Sequence, residues 1–132
     1  MPSAREDYPV EEKTVAELST DMASGTVTSE GLVKLYLARI ETLDRDGPKL
    51  GSVLAVNPRA LDDARRLDAE RAGGKVRGVL HGIPVLLKDN IESADPLPTT
   101  AGSLALAENR GNRDAPIVAR LRAAGAVILG KS

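Results

Sequence analysis

Lys88 ends the apolar run "IPVLLK" (83–88) and opens a long polar stretch, "DNIESADPLPTTAGS" (89–103). A primary amine at that junction has a chemistry. Ligands of open α/β sheets bind at the carboxyl ends of strands. A lysine lodged among apolar groups loses proton affinity, and its neutral amine is then a competent base or nucleophile. The same position also suits a bland role, in which Lys88 snorkels from a strand end or pairs with Asp89. His81, the single histidine, stands just ahead in "LHGIP". Catalysis through it needs a nucleophile and an orienting acid beside it, whereas a polar residue in the turn entering the strand needs neither. Thr99, Thr100 and Ser103 carry hydroxyls that either face a pocket or simply build the loop.

A second candidate is the closing stretch "GAVILGKS" (125–132), which fits the phosphate-loop pattern G-x-x-x-x-G-K-[ST]. Its context argues against nucleotide binding. A phosphate loop bends its backbone N–H groups toward the phosphate and leads into a helix. Here Gly125 reads as the stop of a preceding helix, and Ala126–Leu129 read as a buried strand.

Composition removes other classes. Apolar residues make up 42% of the 132, with no Phe or Trp and two Tyr, so any core is aliphatic. The 18 basic and 19 acidic residues nearly cancel, leaving no field to hold nucleic acid or an anionic membrane. With no Cys and one His, disulfides, thiolate chemistry and a local zinc site are not expected, and no cofactor is implied. The start, "MPSAREDYPVEEKT", lacks the apolar core of a secretory signal, and no run is long enough to span a bilayer. The expectation is a soluble cytoplasmic protein without nucleic-acid or membrane partners.

The elements that must position these residues follow from local signals. Residues 1–13 read as a loose arm. Thr14 and Glu17 form a capping box for a short helix stopped by Gly25. Thr28 caps a longer one, with Leu32, Tyr36, Ile40 and Leu43 on one face, broken at Gly47-Pro48. "SVLAV" (52–56) reads as a strand. Asn57 and Pro58 suit the N-cap and first turn of a third helix, with Leu61, Ala64 and Leu67 inward and Gly73-Gly74 as its end. Residues 84–88 read as a strand buried on both faces, with Pro84 tolerated at its start. A short helical turn after Ser103 follows, then a helix capped by Asp114 with Pro116 in its first turn, and a last strand, "AVILG". The order is that of an α/β fold.

Read together, "HGIP-x4-KDNI", "TTAGS" and "D-A-x4-RL-x-AGA-x-ILGK" resemble the amidase signature family of amide hydrolases, with the likeness running from about Thr14 to the last residue and strongest from Gly78 onward. The peptide-amidase-like branch is the nearest in flavour, and the amidotransferase A-subunits share much of the pattern. The resemblance implies a mixed sheet flanked by helices, of which residues 14–132 would be the N-terminal part. It also implies a Ser-cisSer-Lys triad in which Lys88 is the base acting on a bridging serine, with His81 structural and an amide, small-molecule or peptide, as the substrate of the full-length enzyme. The Gly/Ser-rich segment that would carry both serines does not occur in residues 1–132. The chain is therefore expected to supply only the lysine and to be inactive in isolation. The alternative is a non-catalytic α/β interaction module derived from an amidase N-terminus.

Overall fold

A computed structural model describes residues 7–132. Helix α1 (Val15–Ala23) opens with the capping box: the Glu17 amide donates to the Thr14 hydroxyl, and the Thr14 amide donates to the Glu17 carboxylate. Helix α2 (Ser29–Arg39) is capped by Thr28 and continues as a π-helical turn, Ile40–Arg45. Strand β1 (Ala55–Val56), helix α3 (Ala60–Ala72), strand β2 (Pro84–Leu87), a 3-10 turn at Leu104–Leu106, helix α4 (Pro116–Ala123) and strand β3 (Val127–Lys131) complete the order. The sheet runs β1-β3-β2 and is mixed, β3 pairing antiparallel with β1 and parallel with β2.

The last strand is thus the central one, and its alternating side chains face two layers. Val127 and Leu129 pack with Val33, Ala64 and Leu67 of α2 and α3. Ile128 packs with Leu87 and Val118 of α4 on the other side. A third cluster joins Leu18, Met22, Val27, Leu32 and Ile83 to Tyr8 and Val10. Residues 1–6 of the expected arm lie outside the described residues, but beyond them the segment is anchored rather than loose: Tyr8 and Val10 are buried.

Several expectations need correction. β2 is not buried on both faces: Val85 is half-buried, Leu86 is 42% exposed and Leu87 is buried. Leu86 lines an open apolar groove with Tyr36, Ile40, Leu43, Leu50 and Leu129. β1 is shorter than 52–56 because only Ala55 and Val56 pair in the ladder, with Leu54 adding one bond to the Lys131 carbonyl. Asn57 does not cap α3. Its carbonyl oxygen accepts from the Arg59 amide, and its amide group donates to Asp95 and the Ile128 carbonyl. Asp114 does not cap α4 either, since it accepts from the Ala94 amide and from Arg122. The N-cap is Ala115, with Pro116 in the first turn as expected. Gly125 does end α4, at φ +86°.

Candidate functional site

Lys88 follows the last residue of β2 and is exposed. The apolar surround expected of a depressed amine is therefore not supplied by residues 7–132. Its backbone, by contrast, is held on both sides by the extension of the parallel ladder. The Ser132 amide donates to the Leu87 carbonyl at 2.8 Å, and the Asp89 amide donates to the Ser132 carbonyl at 2.9 Å. The Ile91 amide closes a turn onto the Lys88 carbonyl at 3.0 Å.

The pairing of Lys88 with Asp89 does not form. The Asp89 carboxylate accepts from the Thr100 hydroxyl and lies 4.0 Å from the ammonium of Lys131. The Asp89 carbonyl accepts from the Ala101 amide at 2.9 Å. Lys131 is fully buried and donates to the Ile91 carbonyl at 2.7 Å and to the Thr99 hydroxyl at 2.9 Å. Burial pushes its pKa below the ordinary lysine value, and the charges of Asp89, Asp95 and Glu92 pull it back up. Thr99 and Thr100 thus spend their hydroxyls inside the protein, while Ser103 remains exposed.

An irregularity in register decides which lysine is buried. Val85 pairs with Ile128, but Leu86 pairs with Gly130 and Leu87 with Lys131, so Leu129 is an extra residue in β3. A one-residue insertion moves every later side chain to a new partner. Without it Lys88 and Lys131 would lie side by side. With it Lys131 sits beside the buried Leu87, and Lys88 falls one step further on, beside Ser132.

His81 is brought to neither lysine. Its ring is buried between α3 and the turn leading to β2, where Nε2 faces the Leu67 carbonyl at 2.8 Å and Nδ1 accepts from the Arg77 amide at 3.1 Å. The phosphate-loop stretch is likewise accounted for without a nucleotide. A side chain on Gly125 would come within 2.8 Å of the His81 Cα, and one on Gly130 within 2.2 Å of the Ala55 carbonyl oxygen. Both glycines are required by packing, and the residues between them form the buried strand. Sequence reasoning considered Asp89 only as a partner for Lys88 and passed over Lys131. The available signal was that "AVILGK" repeats the apolar-run-then-lysine pattern of "IPVLLK".

Among the described residues no cluster of His, Asp and Glu is arranged to hold a metal ion, and no helix is long and apolar enough to cross a membrane.

A mixed sheet flanked by helices is the architecture expected of the family that the sequence motifs indicated. The Amidase family profile matches residues 31–132, and the chain belongs to that family. A putative amidase of Schizosaccharomyces pombe is 43% identical over 92% of this chain and 20% of its own. The A-subunit of the glutamyl-tRNA(Gln) amidotransferase from Salinispora arenicola is 42% identical over 90% of this chain and 24% of its own. Among solved structures, the peptide amidase of Stenotrophomonas maltophilia superimposes with a TM-score of 0.90 at 53% identity, over 93% of this chain and 25% of that one. The chain spans about a fifth to a quarter of the length of these relatives.

Proposed function

We propose that this segment supplies the base of an amide hydrolase and that Lys88 is that base. In the complete enzyme the Lys88 amine takes a proton from a bridging serine, which takes one from a nucleophilic serine. The nucleophile's Oγ bonds to the amide carbon, the C–N bond breaks, and the relayed proton leaves with ammonia or an amine. Water then cleaves the acyl-enzyme to the acid and restores the serine. Both serines belong to a part of the domain not represented in residues 1–132, so the isolated segment performs no hydrolysis.

The observation that carries this reading is the contrast at the end of β2. The Lys88 backbone is fixed on both sides by hydrogen bonds, while its side chain projects from an exposed position. No hydrogen bond or ion pair among the described residues engages its ammonium. A backbone fixed by hydrogen bonds beneath an exposed, unengaged amine suits a group that receives its partner from elsewhere.

The test is ammonia release from a simple primary amide by the complete enzyme and its Lys88→Ala, Lys88→Arg and His81→Ala variants. Lys88→Ala is expected to lose at least the roughly 10²–10⁴-fold that general-base assistance contributes. Lys88→Arg fares little better, because a guanidinium stays protonated. His81→Ala keeps the mechanism. A near-full rate for Lys88→Ala, with a dead but folded His81→Ala, would overturn the assignment.

A further inference from the structure

The proposed chemistry leaves a buried ammonium unused. Lys131 is fully buried at the end of β3 and spends its ammonium on the segment that follows Lys88. We infer that Lys131 is a positioning residue for Lys88: its ammonium latches the segment 89–103 to the end of β3 and so fixes where the Lys88 amine is presented. This rests on the reading of Lys88 given above.

The contacts form a closed circuit. The Lys88 carbonyl accepts from the Ile91 amide, and the Ile91 carbonyl accepts from Lys131. Lys131 also donates to the Thr99 hydroxyl, further along the segment from the turn, and faces the Asp89 carboxylate at 4.0 Å. Asp89 in turn holds the Thr100 hydroxyl and, through its carbonyl, the Ala101 amide. The two ends of the segment are thereby tied to one ammonium at the strand end.

Energetics point the same way. Taking an ammonium out of water costs several kcal/mol, and a buried ion pair is often replaceable by apolar side chains at no cost in stability. A hydrocarbon would fill the space beside Leu87 more cheaply. What a hydrocarbon cannot do is hold two acceptors and a carboxylate at fixed directions. The segment carries Pro96 and Pro98 and contains no regular helix or strand before the Leu104–Leu106 turn. Its middle is held by Asn57 and Arg122 on Asp95 and by Asp114 on the Ala94 amide, and the Lys131 ammonium joins the stretches on either side, at Ile91 and Thr99. The latch therefore acts on geometry, and its removal shows in turnover more than in melting.

The test uses the complete enzyme. Lys131→Met alone strands the Asp89 carboxylate, so Lys131→Met is combined with Asp89→Asn. The pair is expected to fold with a melting temperature near wild type and to lose about 10²-fold in kcat, the cost typical of a roughly 1 Å misplacement, with little change in KM. Thr99→Val, which deletes only the accepting hydroxyl, loses kcat in the same direction, and Thr99→Ser restores it; this pair carries the test if the double variant does not fold. In a Lys88→Ala background the Lys131 and Asp89 changes produce no further loss. Amide exchange reads the latch without turnover: Ile91 and Ala101 lose protection in Thr99→Val while Val127 and Ile128 keep theirs. An unchanged kcat in a folded Lys131 variant, a loss that persists in the Lys88→Ala background, or protection lost uniformly would each overturn the latch. A wild-type rate for Lys88→Ala instead overturns the reading of Lys88, so the two failures are distinguishable.

Discussion

At the scale of single residues, His81 shows how a reactive side chain becomes a structural one. A backbone amide can only donate and a backbone carbonyl can only accept, so the bond from Arg77 makes Nδ1 an acceptor and the contact with Leu67 puts the proton on Nε2. Each ring nitrogen is spent, and neither faces a nucleophile. Replacing His81 by Ala leaves the part-buried Arg77 amide without its acceptor and removes a second donor from the Leu67 carbonyl, which keeps its place in helix α3, at about 1–3 kcal/mol for the stranded amide. His81→Ala is accordingly expected to lower stability by about 1–3 kcal/mol in urea unfolding; a loss well below about 1 kcal/mol contradicts this account. Lys88 was legible in the sequence because an apolar run ending in a charge marks a strand end. Lys131 had the same signature and was not distinguished from it. Which of the two is buried depends on the extra residue Leu129, and that is a property of strand pairing rather than of either run.

At the scale of elements, the turn between α3 and β2 is held by Arg77. Its guanidinium grips the Glu70 carboxylate through two hydrogen bonds, Nε to Oε2 at 2.8 Å being one, and reaches the Arg122 carbonyl at the end of α4. The Arg77 hydrogen bonds are the chief cause holding the Glu70 carboxyl at about 2, below its ordinary 4.5. A carboxylate depressed on folding contributes stability that is full above the unfolded value and is lost as pH falls through the folded one. The Glu70–Arg77 contribution is thus lost between about pH 4.5 and about pH 2. Melting temperatures followed across that window are expected to fall less steeply for Glu70→Gln than for the wild-type chain, the two curves converging at the acid end. Parallel curves would show that the pair carries no pH-dependent stability. Local signals served well here: the Thr14 and Thr28 caps and the Gly125 stop need only their own neighbours. Asp114 and Asn57 deceived because each had a distant competitor. Asp114 found the Ala94 amide and Arg122, and Asn57 found Asp95 and the Ile128 carbonyl. The exposure of Leu86 was hidden for a related reason, since an apolar run does not say how far a covering helix extends.

At the scale of the whole molecule, much apolar surface is left open. Leu50, 68% exposed, and Leu86, 42% exposed, line the groove beside β2, and Leu54 is 57% exposed. Among the described residues β2 pairs only with β3, so its other edge presents backbone groups that no described strand pairs. Contiguous apolar surface next to an open strand edge favours association. Residues 1–132 alone are expected to elute from size-exclusion chromatography as concentration-dependent oligomers, and Leu50→Glu with Leu54→Lys to shift them toward the monomer. A monodisperse wild-type monomer with a cooperative urea transition is the contrary result, and it would favour an independently folding module. The sheet order has a further consequence, in time rather than in space. Among the described residues β1 and β2 each find their ladder partner in β3, and β3 is the last of these three strands to be made. As the chain leaves the ribosome, Ala55 has no ladder partner until Lys131 has emerged, and Pro84 none until Val127. Helices α1 to α4 form from local contacts in the meantime, and non-local strand pairing is the slow step. The ladder hydrogen bonds that hold the Lys88 backbone therefore cannot form until Lys131 and Ser132 have been made.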